Sequence, residues 1–378
     1  MTAPATPRVL VADDQPDIIA ALRLVLKTAG FEAGSAASVE EIRRQVHAHD
    51  YDLLLMDLNY ARDTTSGAEG LSLIGEVHGL RPRLPIIAMT GWANVDTAVE
   101  AMRRGARGYV PKPWDNSALL EIVRREVDEG RAARQAEAHA TREWAEARAI
   151  QRALLPETLP AVDGVSLAAR WEPASVFGGD YYDAIPIGDG ALAICIADVC
   201  GKGLPAALLM SNVQATARAF MASGMRPADA VAAINRALCH HAALGRFVTL
   251  FLAVYEPRTG RLRYANAGHN PPIVARASGQ VDRLSEGGLV AGAFEHAQYD
   301  GGEIALGTGD RLCLFTDGLP EARTLADEEI GDARIVDLVR EARTLPATAI
   351  VDRLFAEVGR AVGGPCQDDA TAVVLAIA

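Results

Sequence analysis

Short, continuous apolar runs recur through the first third of the chain, and each stops at a polar or acidic residue. RVLVADD (8–14), YDLLLMD (51–57), LPIIAMT (84–90) and GYVPKP (108–113) have this form, with amphipathic stretches such as DIIAALRLVLKTAG and NVDTAVEAMRRGA between them. Apolar runs without alternation are strands buried on both faces, and repeated strand–helix order selects a parallel sheet covered by helices on each side. A doubly wound parallel α/β domain is therefore expected over residues 1–127. In such sheets ligands bind beyond the carboxyl ends of the strands, where Asp13, Asp14, Asp57, Thr90 and Lys112 fall.

At 378 residues the chain is too long for one hydrophobic core. Boundaries are expected at 1–127, 128–159 and 160–378. A net charge of −12 and a pI near 5.2 argue against a nucleic-acid binder, which needs a basic face. No apolar run is as long as a membrane span, and the opening MTAPATPRVLVADD has no long apolar segment of the signal-peptide kind. The five cysteines are odd in number and lack CxxC spacing, which fits a reducing cytoplasm better than a disulfide framework. Lysine occurs three times, at 27, 112 and 202, while arginine supplies the other basic residues. Ammonium and guanidinium differ in size and geometry, so a lysine in a motif loop draws notice.

Residues 115–155 are rich in Ala, Glu and Arg and lack proline, the pattern of one long helix, open to interruption at Gly130 and stopped before Pro156. Leu119, Ile122, Ala133, Ala136, Ala140, Ala147, Ile150 and Leu154 recur roughly as a and d positions. The alternatives are a solvated linker helix and a coiled coil that makes a homodimer; the heptad spacing favours the second.

Adjacent aspartates after one strand and a third after another can hold a hard divalent cation. Asp57 then faces a cation that neutralises an incoming phosphoryl group, Lys112 adds a compact positive charge, and Thr90 a hydroxyl donor. This ordered set, from Asp13–Asp14 to the Lys112–Pro113 of PKPW, resembles the response-regulator receiver domain over residues 8–127, which implies a five-stranded parallel sheet. The resemblance implies that Asp57 accepts a phosphoryl group from a sensor histidine kinase and that Asp13, Asp14 and Asp57 hold Mg2+. It also implies that Thr90 and Tyr109 switch and that the Lys112–Pro113 bond is cis. The loop after Asp57, LNYARDTTSGAEG, is longer than the usual receiver loop.

Beyond residue 160, carboxylates again sit where apolar runs begin or end. Asp180 follows two glycines in VFGGDYYDA, Asp198 ends ALAICIAD, Asp317 ends RLCLFTD, and Asp368–Asp369 open DDATAVVLAIA. The glycines at 178 and 179 are expected to turn the backbone through φ angles closed to other residues. Any one Asp-Gly turn is ordinary. Four carboxylate sets on separate strands of one domain would repel one another unless cations lie between them, and two bridged divalent ions suit hydrolysis without a covalent intermediate.

The segments ARAIQRALLP, VFGGDYYD, ADVCGKGLPAALLM, NAGHNPP, LFTDGLPEA and QDDATAVV run in the order of the bacterial branch of the PPM metal-dependent serine/threonine phosphatases, found in regulators of sigma factors and sporulation. The resemblance implies an α+β domain, a two-sheet sandwich flanked by helices and joined to the receiver by the long helix, holding two Mn2+ or Mg2+. Asp180 is implied to bridge both ions, Asp198 to hold one with the Val199 carbonyl, and Asp317 and Asp368 the other, with Asp368 ranked above Asp369. Lys202 is a candidate for meeting substrate phosphate. His269 in NAGHNPP is a candidate acid, with a turn-holding role as its default reading. The resulting expectation is a cytoplasmic two-component regulator whose output hydrolyses phosphoserine or phosphothreonine on a partner protein, such as an anti-sigma factor antagonist. The competing reading is an adaptor whose phosphatase-like domain only binds a sigma or anti-sigma factor; intact metal aspartates argue against it.

Overall fold

The computed structural model describes the chain apart from residues 1–4, 61–67, 92–94, 242–244 and 365. Two compact units emerge, residues 1–143 and 144–378. Most of the extended loop after Asp57 lies outside the described residues.

In the first unit β1 (Arg8–Ala12), β2 (Glu32–Ala36), β3 (Leu53–Asp57), β4 (Ile86–Thr90) and β5 (Gly108–Pro111) form a parallel sheet in the order β2-β1-β3-β4-β5. Its helices are α1 (Pro16–Thr28), α2 (Val39–Ala48), α3 (Ala68–Leu80), α4 (Val95–Arg103) and the first part of α5 (Asn116–Leu154). Strand side chains alternate between two cores. Leu10, Leu54, Met56 and Ile86 meet α2 and α3, while Val9, Val11, Leu53, Leu55 and Ile87 meet Leu22 and Leu26 of α1 and Leu119 and Val123 of α5. Helix α2 starts where Ser38 accepts from the Glu41 amide and the Glu41 carboxylate accepts from the Ala37 amide, a reciprocal cap.

Helix α5 is a single element of 39 residues, so Gly130 does not interrupt it. A Cβ at Gly130 would stand 3.1 Å from Pro85 Cγ, and glycine there permits close packing within the first unit. Of the heptad positions, Leu119 is buried, Ala133, Ala136 and Ala140 are exposed, and Ile150 is 67% exposed.

The second unit contains two sheets, one mixed and one wholly antiparallel. One has the order β13-β10-β9-β8-β7, with β14 also pairing β10; the other has β12-β11-β15-β16-β6. The strands of the first are β7 (Tyr181–Ile187), β8 (Ala191–Val199), β9 (Val248–Glu256), β10 (Arg261–Ala267), β13 (Gly287–Gly288) and β14 (Gly302–Ala305). Those of the second are β6 (Val165–Glu172), β11 (Ile273–Ala275), β12 (Val281–Arg283), β15 (Arg311–Phe315) and β16 (Ala370–Ile377). Leu312, Leu314, Val373 and Leu375 share one core with Ile194 and Phe251, so the sheets pack face to face. The alternate residues Cys313, Phe315, Ala372 and Val374 face α8 (Asp332–Glu341) and α9 (Ala347–Val362). Helices α6 (Leu204–Ala222) and α7 (Pro227–His241) cover the first sheet with Met210, Val213, Ile234 and Leu238. This is the expected sandwich flanked by helices. The stretches LPAALLMSNVQATARAFMASG and PADAVAAINRALCHHAAL, which read in the sequence as two long helices, form α6 and α7, whereas β6 and β7 do not stand out as apolar runs.

Asp317 is placed by the antiparallel pairing of β15 with β16, which brings Gly318 against the Asp369 backbone. A Cβ on Gly318 would stand 2.0 Å from the Asp369 carbonyl oxygen, and only glycine fits without moving main chain. Gly318→Ala should therefore cost about 1–3 kcal/mol. Its melting temperature, measured by calorimetry, should fall by roughly 2–10 °C.

Candidate functional site

In the first unit the strand ends bring Asp13, Asp14 and Asp57 together, with carboxylate oxygens within 4.8 Å of one another. Asp13 is 0% and Asp57 4% exposed. Lys112 Nζ donates to Asp13 Oδ2 at 2.6 Å and forms an ion pair with Asp57 Oδ1 at 3.1 Å, though that oxygen has no aligned hydrogen-bond donor. Asp57 Oδ2 accepts from the Asn59 amide at 3.3 Å. Burial pushes the Asp57 carboxyl above its usual range, against the opposing pull of Lys112. Thr90 is buried, and Tyr109 shares a side-chain hydrogen bond with it. The Lys112–Pro113 peptide is cis, as expected. Tyr60, which the sequence reading did not single out, is 4% exposed and directs its hydroxyl to the Ala12 carbonyl at 3.5 Å. Three facing carboxylates with one open oxygen suit a divalent cation.

In the second unit Asp180 is 1% exposed. Thr316 Oγ1 and Thr371 Oγ1 donate to its Oδ2 at 2.8 and 2.5 Å, while Oδ1 is buried without a donor. Burial first, and then the neighbouring Asp198, hold its carboxyl well above the usual range. Burial, with Asp317 and Asp368 nearby, raises Asp198 to about 7, and burial with Glu321 and Asp368 raises Asp317 to about 6. These four aspartates thus share one field of mutual repulsion. Among the described residues they do not place three ligand oxygens within 4.8 Å, as the first unit does.

Gly178 and Gly179 correct one expectation. Neither adopts positive φ, whereas Gly201 (97°) and Gly203 (76°) in the turn after Asp198 do. The pair is required by space instead. A Cβ on Gly178 would stand 2.9 Å from the Trp171 ring, and one on Gly179 would stand 3.0 Å from the Val199 carbonyl oxygen. The backbone before Asp180 is thus threaded between strand ends.

Asp369 accepts the Ala174 and Gly179 amides at 2.8 and 2.6 Å, so both its oxygens brace this loop. Asp368 Oδ2 lies 3.0 Å from Lys202 Nζ, which also donates to the Gln367 carbonyl at 2.9 Å. Lys202 therefore meets a carboxylate in this structure. His269 is buried, its Nδ1 sharing a 2.8 Å hydrogen bond with Thr249 Oγ1, and burial lowers its pKa to about 4. Its amide donates to Asn266 Oδ1 at 2.7 Å, and Asn266 Nδ2 returns a bond to its carbonyl. A neutral, enclosed imidazole in such a turn fits the turn-holding role. Thr316 and Thr371 were missed in the sequence, although a hydroxyl inside an apolar strand beside an acidic strand end is a usable signal.

The orphaned Asp180 oxygen and the repelling carboxylates fit divalent cations, and Asp180, Asp198, Asp317 and Asp368 with the Val199 carbonyl would hold them. Manganese at about 100 times its Kd should add about 2.7 kcal/mol of stability. Asp198→Asn should raise the metal-free melting temperature by relieving repulsion, yet shrink the manganese-induced rise; calorimetry with and without chelator reads both.

The model of the response regulator receiver domain matches residues 9–124, and that of stage II sporulation protein E (SpoIIE) matches residues 188–378, half of the chain. Protein IcfG of Synechocystis sp. is 30% identical over 257 residues, covering 60% of this chain and 40% of that protein. The phosphoserine phosphatase RsbU of Bacillus subtilis is 29% identical over 227 residues, covering 60% of this chain and 67% of RsbU. The SiaA-PP2C domain of Pseudomonas aeruginosa superposes with a TM-score of 0.57 at 25% identity, covering 64% of this chain and 99% of that domain. No helix among the described residues is long and apolar enough to cross a membrane. With a receiver sheet carrying its acidic pocket and a two-sheet sandwich carrying four converging aspartates, the chain belongs to the SpoIIE family and bears a response-regulator receiver domain ahead of its SpoIIE domain.

Proposed function

We propose that this protein is a two-component response regulator whose output is metal-dependent hydrolysis of phosphoserine or phosphothreonine on a partner protein. The observation that carries this reading is the buried Asp180 carboxylate, held on one oxygen by two threonines and open on the other, amid aspartates that repel it. The name of RsbU, a phosphoserine phosphatase, supports the same substrate class. Divalent cations held by Asp180, Asp198, Asp317 and Asp368 would supply charge neutralisation at the phosphoryl oxygens and activation of water. Thr316 and Thr371 keep Asp180 in one orientation, Asp369 fixes the loop before it, and Lys202 stands at the rim beside Asp368. The oxygen of water bonds to phosphorus as the bond to the serine or threonine oxygen breaks, a proton from that water passes to the leaving oxygen, and inorganic phosphate and the free hydroxyl side chain are released.

In the receiver, a histidine kinase would transfer its phosphoryl group to Asp57, with Lys112 beside the entering oxygens and Asp13 and Asp14 holding Mg2+. The exposed Ala133, Ala136, Ala140 and Ile150 on α5 would pair with a second copy and pass the change along the helix. The phosphoprotein substrate is an anti-sigma factor antagonist in this reading, and the setting is the cytoplasm. Domain limits of 1–127, 128–159 and 160–378 describe receiver, transmitting helix and phosphatase.

Hydrolysis of p-nitrophenyl phosphate with manganese tests the reading. Asp180→Asn and Asp317→Asn should each lower the rate on the order of 100-fold or more. Wild-type protein no faster than these variants would leave only the adaptor. Acetyl phosphate should change the wild-type rate or dimer content, read by light scattering, and should do neither in Asp57→Ala.

A further inference from the structure

A cavity of about 760 Å³ opens at the N-terminal ends of the receiver strands, the end of the sheet opposite the acidic pocket. That volume lies within the roughly 300–1,000 Å³ of small-molecule sites. Arg8 at the start of β1, Tyr51 and Asp52 just before β3, and residues 81–84 just before β4 wall it, and Arg131 and Arg134 of α5 close it. Ligands ordinarily meet a parallel sheet at the other ends of its strands. Here α5 supplies the extra wall, because Gly130 packs on Pro85 and the helix continues beyond it.

Five arginines, Arg8, Arg81, Arg83, Arg131 and Arg134, line the cavity against two carboxylates, Asp50 and Asp52, in a chain whose net charge is −12. Arg8, Arg81 and Arg83 have acidic partners of their own in Glu32, Asp50 and Glu137. Arg131 and Arg134 must share one. Asp52 Oδ2 accepts from Arg131 at 2.8 Å and from the Arg8 amide at 2.9 Å, and its Oδ1 accepts from Arg134. Their spacing of three puts both guanidinium groups on one face of the helix, and among the described residues Arg134 has no other partner. A neighbouring cavity of about 560 Å³ shares Asp52, Arg131 and Arg134 and adds Arg142, so the positive surface continues along the helix. The opposite wall is apolar: Leu80 is 44% exposed and stands there beside Pro82. Tyr51 is buried under this region, with the Arg8 guanidinium 5.2 Å from its ring centre and its hydroxyl on Gln45 at 2.8 Å.

We propose that this cavity binds a nucleotide, its phosphates on Arg131 and Arg134 and its planar ring against Leu80 and Pro82. This goes beyond the phosphatase reading and does not depend on it. Guanidinium groups take phosphate oxygens through parallel N–H bonds and stack on flat rings, so the two walls suit the two ends of such a ligand. An ion-pair network that only fastened α5 to the sheet would need neither the open volume nor the uncovered leucine. Inorganic phosphate alone would leave the apolar wall bare, and a lipid would need a longer apolar channel than Val46, Leu80, Pro82 and Leu84 provide.

Isothermal titration of the full-length chain with ADP, GDP and UDP tests this, with EDTA present so that neither acidic site takes up phosphate through a metal ion. At least one nucleotide should bind at one site per chain, and pyrophosphate should bind about 10-fold more weakly or worse. Arg134→Ala should weaken nucleotide binding on the order of 10-fold or more, and so should Leu80→Asp, which changes a side chain already exposed. Asp57→Ala and Asp180→Asn, which do not line the cavity, should bind as wild type does. The proposal fails if none of the three nucleotides binds at about 1 mM, if pyrophosphate binds as tightly as the best of them, or if both folded cavity variants stay within about twofold of wild type. Binding lost in Asp180→Asn and kept in Arg134→Ala would place the nucleotide in the second unit and would also overturn it.

Discussion

A carboxylate that is 1% exposed, as that of Asp180 is, costs free energy unless opposite charge or hydrogen bonds compensate. In the second unit two threonine hydroxyls compensate one oxygen, and the other is left with nothing from the protein. The neighbouring carboxylates of Asp198 and Asp369 make the problem worse, and with burial they hold the Asp180 carboxyl well above its usual range. Such an arrangement trades stability for binding. The two sheets, the glycine-threaded loop and the tight Gly318 contact serve to hold these groups where they would not otherwise stay.

The receiver pocket solves the same problem differently. There Lys112 supplies a positive charge from within the chain, bonded to Asp13 and paired with Asp57, so the pocket is partly neutralised before any cation enters. The second unit has a lysine as well, but Lys202 is half exposed and divides its ammonium between Asp368 and the Gln367 carbonyl. In the proposed function this difference matches two roles, a phosphoryl group accepted on Asp57 in the first site and cations held among unmodified aspartates in the second.

Helix α5 was readable as one long element because it lacks proline and keeps helix-forming residues throughout. Gly130, which reads as a break, turned out to be a contact point. Helical propensity loses little at one glycine when tertiary packing against Pro85 holds the turn. The segment ARAIQRALLP at its end carries part of the family resemblance, but the two hydrogen bonds between Gln151 and Gly178 are not readable from the letters.

Apolar runs, their polar endings and the order of the aspartates depend on local composition and spacing, so the parallel receiver sheet, the helices α6 and α7, and the candidates Asp13, Asp57, Asp180, Asp198, Asp317 and Asp368 could be named from the chain of letters. The role of Gly178 and Gly179 could not: sequence suggests an unusual φ for such a pair, and only the approach of Trp171 and the Val199 carbonyl, each remote in the chain or on another strand, reveals a spatial requirement. Thr316, Thr371 and Gln151 belong with them. Each acts through a hydrogen bond to a residue between 27 and 191 positions away, and contacts of that span leave no periodic trace, because it is the folding of strands and helix against one another that creates them.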